Sequence, residues 1–160
     1  MAVCNVHERR IDAPADEVGK LIDQLASPDD RLWPRRDWPP MELDGPLRVG
    51  ASGGHGPVRY AVIGYTPGRW VRFRFSGPRG FHGFHAYTVR SDGAGGAVLQ
   101  HLLTMRTRGA ARLTWPLAFR WLHDAVLEDS LDLAEAALSS GPSSPARWNA
   151  YVRLLRRGMP

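Results

Sequence analysis

The sequence predicts one α+β domain in which a curved antiparallel sheet of about six or seven strands wraps around a long C-terminal helix. Two short helices are expected near the N terminus. Three observations lead to this prediction. Strand-like segments follow one another through the middle of the chain, with Gly and Pro between them. The connections are short, so neighbouring strands must run antiparallel. Near the C-terminal end the hydrophobic pattern changes to the period of a helix.

The first elements are a strand over residues 3–11 and a helix that begins near Pro14. Proline suits the first helical position, and Asp16 and Glu17 place negative charge near the positive end of the helix. Ser27 is a suitable cap for a second helical turn. The loop over residues 33–40 then carries two Trp and three Pro, and we expect Trp33 to close the mouth of an interior space.

The central strands are expected at residues 41–49, 58–65, 70–76, 81–90 and 97–107. A chain of antiparallel strands this long curls strongly, because sheets twist and coil. The Gly-rich segment 50–56 lacks the Lys and the following helix of a phosphate loop. It is therefore interpreted as a mobile connection, in the position of a gate over the interior space.

The longest helix is predicted over residues 116–138, which completes a domain of residues 1–139. Residues 140–160 are predicted to be a linker followed by a short basic amphipathic helix or tail. Its apolar stripe runs from Trp148 to Leu155. The stripe is expected to dock on its own domain, or to contact a second subunit or another protein partner, in preference to a membrane surface.

Composition excludes several functional classes. A chain of 160 residues supports one core, and no apolar run approaches the roughly 20 residues of a membrane span. The N terminus lacks the order of a signal peptide, and Cys4 is the single thiol, so a cytoplasmic protein is expected. The net charge is +5, but Lys20 is the single Lys among 21 basic residues. Such Arg-rich composition is typical of GC-rich coding and does not by itself indicate a nucleic-acid partner.

Three segments of the chain have a recognisable pattern. Residues 11–18 read Ile-Asp-Ala-Pro-Ala-Asp-Glu-Val, residues 59–62 and 65–69 span the central hairpin, and residues 87–99 span the last hairpin. They resemble the strand-to-helix signature, the central hairpin and the last hairpin of the START-related, birch-pollen-allergen-like superfamily, also called the SRPBCC or polyketide cyclase/dehydrase family. The resemblance runs from about Val3 to Leu138 and implies the helix-grip fold. It also implies an apolar pocket between the sheet and the closing helix, and ligands such as lipids, sterols or polyketides.

Alternation along the strands assigns the faces of the sheet independently of the family. His85 and Tyr87 share one face, and a turn centred on Gly93 would place His85 opposite His101. Two imidazoles are then expected to meet on the concave side. The side chains expected to line the cavity are Trp33, Tyr60, Val62, Val71, Phe73, Phe75, His85, Tyr87, Leu99, His101, Leu103, Phe119 and Leu122.

His85, His101 and Tyr87 are also candidates for acid–base chemistry. The preferred interpretation is that one or both histidines hydrogen-bond to a polar ligand or to a buried hydroxyl such as that of Tyr87. No metal site is predicted, because His82 and His85 point to opposite faces and the last hairpin strands carry no Asp or Glu. His7, His55 and His123 are interpreted as surface or structural residues. Nothing in the sequence predicts a cofactor, and Cys4 has no evident activating partner.

Three functions remain open. The first is binding of a small hydrophobic molecule, lipid- or polyketide-like, in an internal cavity. The second is a polyketide cyclase/dehydrase-type enzyme that uses His and Tyr as acid and base. The third is a scaffold or interaction protein that binds no ligand.

Overall fold

The computed structural model describes residues 1–142 and 144–158 of the chain. Its strands are β1 (Ala2–Ile11), β2 (Glu42–Leu43), β3 (Ser52–His55), β4 (Val58–Thr66), β5 (Trp70–Gly77), β6 (Phe81–Ser91) and β7 (Ala97–Thr107). Its helices are α1 (Ala15–Asp23), α2 (Ala111–Thr114), α3 (Arg120–Leu138) and α4 (Ala150–Arg157). A π-helical turn, Trp115–Phe119, joins α2 to α3.

The seven strands form one sheet in the order β1-β7-β6-β5-β4-β3-β2, and every neighbouring pair is antiparallel. Helix α3 packs against β1, and α1 packs against β5, β6 and β7. Ile22 of α1, Leu99 of β7 and Leu131 of α3 are fully buried in one core. The structure therefore confirms the predicted α+β architecture, a curved antiparallel sheet closed by a long C-terminal helix.

Near the N terminus the structure has one short helix where the sequence predicted two. Pro14 is extended and precedes α1, so Ala15 is the first helical residue. Residues 24–29 form turns, because side chains compete for the backbone there. The Asp30 carboxylate accepts hydrogen bonds from the backbone N–H groups of Ala26, Leu32 and Trp33, and so fixes the path into the Trp-rich loop.

The segment 41–56 also differs from its prediction. The expected strand 41–49 is reduced to the two residues of β2, and the Gly-rich segment forms β3 instead of a mobile connection. Glycine permits this pairing, since a Cβ on Gly53 would lie 1.9 Å from the backbone oxygen of Glu42. Short glycine strands carry no alternating hydrophobic pattern, which is why the sequence did not reveal them.

The C-terminal helix α4 docks on its own domain. Asn149 caps it by accepting a hydrogen bond from the Val152 N–H at 2.8 Å, and Val152 is buried. The Trp148 indole N–H donates to Asp129 of α3 at 2.8 Å. Part of the predicted apolar stripe is thus covered within the chain, whereas Tyr151 of the same stripe remains 40% exposed. No helix among residues 1–142 and 144–158 is long and apolar enough to cross a membrane.

Candidate functional site

A cavity of about 200 Å³ lies between the sheet and the segment that runs from the π-helical turn into α3. Strands β6 and β7 supply one wall, and the closing helix supplies the other. The Trp-rich loop and the end of β3 border its remaining sides. The lining side chains are mostly aromatic or aliphatic, and they include Trp33, Trp38, His55, Phe75, Phe81, His85, Tyr87, His101, Leu103, Trp115, Phe119, Leu122, His123 and Val126.

The structure brings eight of the thirteen predicted cavity residues to this space. They are Trp33, Phe75, His85, Tyr87, His101, Leu103, Phe119 and Leu122. The other five do not line it but lie in the packed core, and they are Tyr60, Val62, Val71, Phe73 and Leu99. These five residues belong to the same buried cluster as Leu21 and Ile22 of α1, which packs in front of β5, β6 and β7.

Two histidines that the sequence analysis interpreted as surface or structural residues also line the cavity. His55 extends from β3 and packs on Trp33, with ring centroids 4.5 Å apart. His123 extends from α3 and lies beside His101, at 5.2 Å between centroids. The signal for His123 was present, because it follows Phe119 by four residues and therefore shares its helix face. His55 gave no such signal, because its glycine-rich strand was not recognised.

His85 and His101 meet in the cavity wall, but in a different register from the prediction. Tyr87 pairs with His101, and His85 pairs with Leu103. The connection is centred on residue 94 because Asp92 Oδ1 accepts hydrogen bonds from the N–H groups of Ala94 and Gly96. A shift by two residues keeps each side chain on the same face. The imidazoles are therefore diagonal neighbours, with Nδ1 of His85 3.2 Å from Nε2 of His101.

Aromatic rings pack on this pair of imidazoles, and a pair of hydrogen-bonded hydroxyls lies nearby. The His85 ring stacks on Phe73 and Phe75, with centroid distances of 4.9 and 5.1 Å. Across the cavity, the Tyr87 hydroxyl hydrogen-bonds to Ser130 Oγ of α3 at 3.0 Å. Both hydroxyls are buried, so this bond ties the sheet directly to the closing helix.

The cavity histidines are neutral at physiological pH. Burial, together with neighbouring imidazoles, lowers the pKa of His85 and of His101 well below the ordinary value. Burial also lowers the pKa of His55 to about 3. A neutral imidazole offers one donor and one acceptor. Within the described part of the chain, His85 Nε2, His101 Nδ1 and His55 Nδ1 are buried without a hydrogen-bond partner.

A second cluster lies behind this wall, between β1 and α3. His7 contacts two carboxylates of α3, with Nε2 3.2 Å from Asp124 Oδ1 and Nδ1 2.6 Å from Glu128 Oε1. Burial lowers the pKa of His7, but the hydrogen bonds with these carboxylates outweigh it, so the pKa is raised. His7, Asp124 and His123 together form a group of side chains that could hold a metal ion. This group was not predicted from the sequence.

No protein-family model and no curated protein matches the chain. Several solved structures share its fold. CalU16 from Micromonospora echinospora superposes with a TM-score of 0.62 at 16% identity, over 98% of this chain and 83% of that one. Norcoclaurine synthase from Thalictrum flavum, in complex with dopamine and hydroxybenzaldehyde, gives 0.63 at 14% identity, over 86% and 87%. Ara h 8.0201 gives 0.61 at 14% identity, over 86% and 98%. The chain therefore has the helix-grip fold that these proteins share.

Proposed function

We propose that this chain binds a small, largely apolar molecule of about ring size in the cavity between the sheet and the closing helix. The proposal rests on a partly enclosed cavity of about 200 Å³ whose lining is mostly aromatic. A cavity of about 150 Å³ in another protein holds benzene, whereas drug-sized ligands occupy roughly 300–1,000 Å³. The volume therefore favours a substituted ring over an extended lipid chain.

The lining supplies both affinity and orientation for such a guest. Each buried methylene contributes roughly 0.8 kcal/mol, and ring stacking adds to this. The partnerless nitrogens of His55, His85 and His101 provide hydrogen-bonding groups for a polar substituent such as a hydroxyl or carbonyl. The norcoclaurine synthase structure, which holds dopamine and hydroxybenzaldehyde in the same fold, supports a guest of this kind.

The proposal is tested with p-cresol as the probe, by titration calorimetry and by the fluorescence of the cavity tryptophans. We expect saturable binding at one site. Ala118 lines the cavity, so Ala118→Phe should fill it and abolish binding. Leu117→Phe is the matched control, since Leu117 is the neighbouring residue and its side chain is 61% exposed. Equal binding by the wild type and Ala118→Phe would contradict the proposal.

A catalytic function is the second candidate, and the contact between His85 and His101 in the cavity wall favours it. Neutral imidazoles can accept a proton from a bound substrate, as a polyketide cyclase/dehydrase-type reaction requires. Tyr87 is less suited to proton transfer, because burial raises the pKa of its hydroxyl and the hydroxyl is already hydrogen-bonded to Ser130. Replacing His85 and His101 by Gln should abolish turnover of a substrate while binding is retained. If the chain only binds its ligand, the same double replacement should leave its measurable behaviour unchanged.

Native mass spectrometry of the freshly purified chain separates both proposals from a scaffold function. A ligand-binding protein should retain a small molecule of defined mass, and Ala118→Phe should lack it. A scaffold should show the bare chain mass in both cases.

We further propose a reducing compartment such as the cytoplasm, because the single thiol, Cys4, is exposed and has no partner for a disulfide within the chain.

A further inference from the structure

His7, His123 and Asp124 converge between β1 and α3, on the far side of His101 from His85. One ligand atom from each side chain lies within 4.8 Å of the other two. Asp124 Oδ1 is 3.2 Å from His7 Nε2 and 3.6 Å from His123 Nδ1. His123 also borders the cavity, whereas His7 and Asp124 do not line it. Their convergence therefore calls for a separate explanation.

The contacts of His7 admit two explanations. Glu128 contacts Nδ1 of the His7 ring, and Asp124 contacts Nε2. A neutral ring that donates from Nδ1 to Glu128 presents the Nε2 lone pair towards the Asp124 carboxylate. Two such acceptors repel each other unless a second proton or a metal cation lies between them. The contacts of His7 alone fit both a doubly protonated ring and a metal ligand.

His123 favours the metal. Both of its ring nitrogens are buried and have no hydrogen-bond partner among the residues that the structure describes. Its Nδ1 is too far from Asp124 Oδ1 for a hydrogen bond at 3.6 Å. Buried polar atoms without partners are rare in proteins. Protonation of His7 leaves both ring nitrogens of His123 without a partner. A cation bound by all three side chains would give His123 Nδ1 a partner.

The geometry points to a site for a divalent transition-metal cation, with His7 Nε2, His123 Nδ1 and Asp124 Oδ1 as its protein ligands. Two imidazoles and one carboxylate are a ligand set that suits Zn²⁺. With metal–ligand bonds of about 2.0–2.2 Å, tetrahedral ligands lie roughly 3.3 Å apart. The observed separations of 3.2 and 3.6 Å bracket that value. The ligand atoms of His7 and His123 also lie within 4.8 Å of each other.

The surroundings also resemble those of metal sites. Histidine ligands commonly donate their second N–H to a carboxylate, which fixes the ring and strengthens the ligand. Glu128 occupies that position for His7 at 2.6 Å. The Asn5 side chain contacts Asp124, and its Oδ1 is a further buried oxygen without a partner in the described ranges. The Asp124 side chain is 33% exposed, so a cation from solvent can reach the group.

The test is a titration of the full chain, stripped of metal by a chelator, with Zn²⁺ in a calorimeter at neutral pH. We expect one Zn²⁺ per chain, with micromolar or tighter affinity and a higher melting temperature for the loaded protein. His123→Gln and Asp124→Asn should each weaken binding at least about 100-fold, and Glu128→Gln by about 10–100-fold. His82→Gln is the control, because His82 is an exposed histidine outside the cluster.

Circular dichroism of each variant checks that it is folded, and Asp124→Asn preserves the shape of the side chain if His123→Gln does not fold. Co²⁺ gives a second readout, because its visible absorption should show nitrogen and oxygen ligands in the wild type and should be lost in Asp124→Asn. The inference is overturned if the wild type binds no stoichiometric Zn²⁺. It is also overturned if His123→Gln and Asp124→Asn, once folded, bind Zn²⁺ as the wild type does.

Discussion

Nδ1 of His85 lies 3.2 Å from Nε2 of His101, although the strand register places Leu103, and not His101, opposite His85. The contact is diagonal across β6 and β7, and it sets two uncharged imidazoles side by side in an otherwise apolar wall. Such a pair stays neutral while it is buried, because the apolar interior disfavours the charged form of each ring. This relationship makes the stability of the fold sensitive to pH.

Acidification should destabilise the protein through its buried histidines. Burial lowers the pKa of His85 in the folded chain, whereas the unfolded chain titrates near the ordinary value of 6.5. Below about pH 6.5 the unfolded state therefore binds more protons, and the free energy of unfolding falls as the pH decreases. The slope is up to about 1.4 kcal/mol per pH unit for each such histidine. Urea unfolding between pH 5 and pH 8 measures it.

His85→Gln should make that slope shallower, and His82→Gln, at an exposed position, should leave it unchanged. His55, whose pKa is lowered to about 3, contributes to the remaining slope. A slope that is the same in His85→Gln and the wild type would contradict this explanation.

Arg9 should contribute far more to stability than its neighbour Arg10. Arg9 faces α3 and forms ion pairs of 2.8–3.0 Å with Glu128, Asp132 and Glu135. Its replacement leaves three carboxylates close together without a cation. We expect Arg9→Gln to cost about 1.5–3 kcal/mol in chemical unfolding. Arg10→Gln, on the exposed face of β1, should cost less than about 1 kcal/mol. Equal losses would show that the contacts with α3 are not stabilising.

Asp129 should determine whether α4 stays docked. Its Oδ2 accepts hydrogen bonds from the indole N–H groups of Trp38 at 2.7 Å and Trp148 at 2.8 Å. Asp129→Ala leaves both donors without a partner, which costs about 1–3 kcal/mol each if they remain buried. The amides of α4 should then exchange hydrogen faster, while those of β6 and β7 keep their protection. Asp129→Asn retains an acceptor and should be milder. Unchanged exchange in Asp129→Ala would contradict this role.

Gly53 should tolerate no side chain. A Cβ at this position would meet the backbone of Glu42 at 1.9 Å, so Gly53→Ala must separate β2 from β3. We expect a loss of about 1–3 kcal/mol in chemical unfolding. Gly45→Ala is the matched control, because nothing lies within 4 Å of its added Cβ, and it should change stability by less than about 0.5 kcal/mol. A mild effect of Gly53→Ala would contradict the observed pairing.

The long strands and the closing helix were predictable because each has a strong hydrophobic period. Strand β7 begins and ends at the predicted residues, and β4, β5 and β6 are each extended by one. The pairing of β3 with β2 could not be predicted, since it depends on close backbone approach at Gly53 and Gly54. The closing helix begins earlier than predicted, at Ala111, because the π-helical turn carries the chain through Pro116 without ending the helix.

It was predictable from the sequence which side chains lie on the cavity side of the sheet, but not how far along the sheet the cavity extends. Alternation shows that Phe73 and Phe75 point the same way, yet it does not show that Phe75 reaches the cavity while Phe73 is buried in the core. That difference depends on where α1 packs, which is a tertiary property. The second histidine cluster was missed for a similar reason, because β1 and α3 are more than 100 residues apart in sequence.

The proposed function requires that a guest molecule occupies the space between the sheet and the closing helix. A crystal structure of the chain grown with p-cresol tests this requirement. We expect density for one ring between Leu103, Phe119 and Leu122, with its hydroxyl within hydrogen-bonding distance of a cavity imidazole. Side chains that fill this space, with p-cresol absent or bound elsewhere on the molecule, would contradict it.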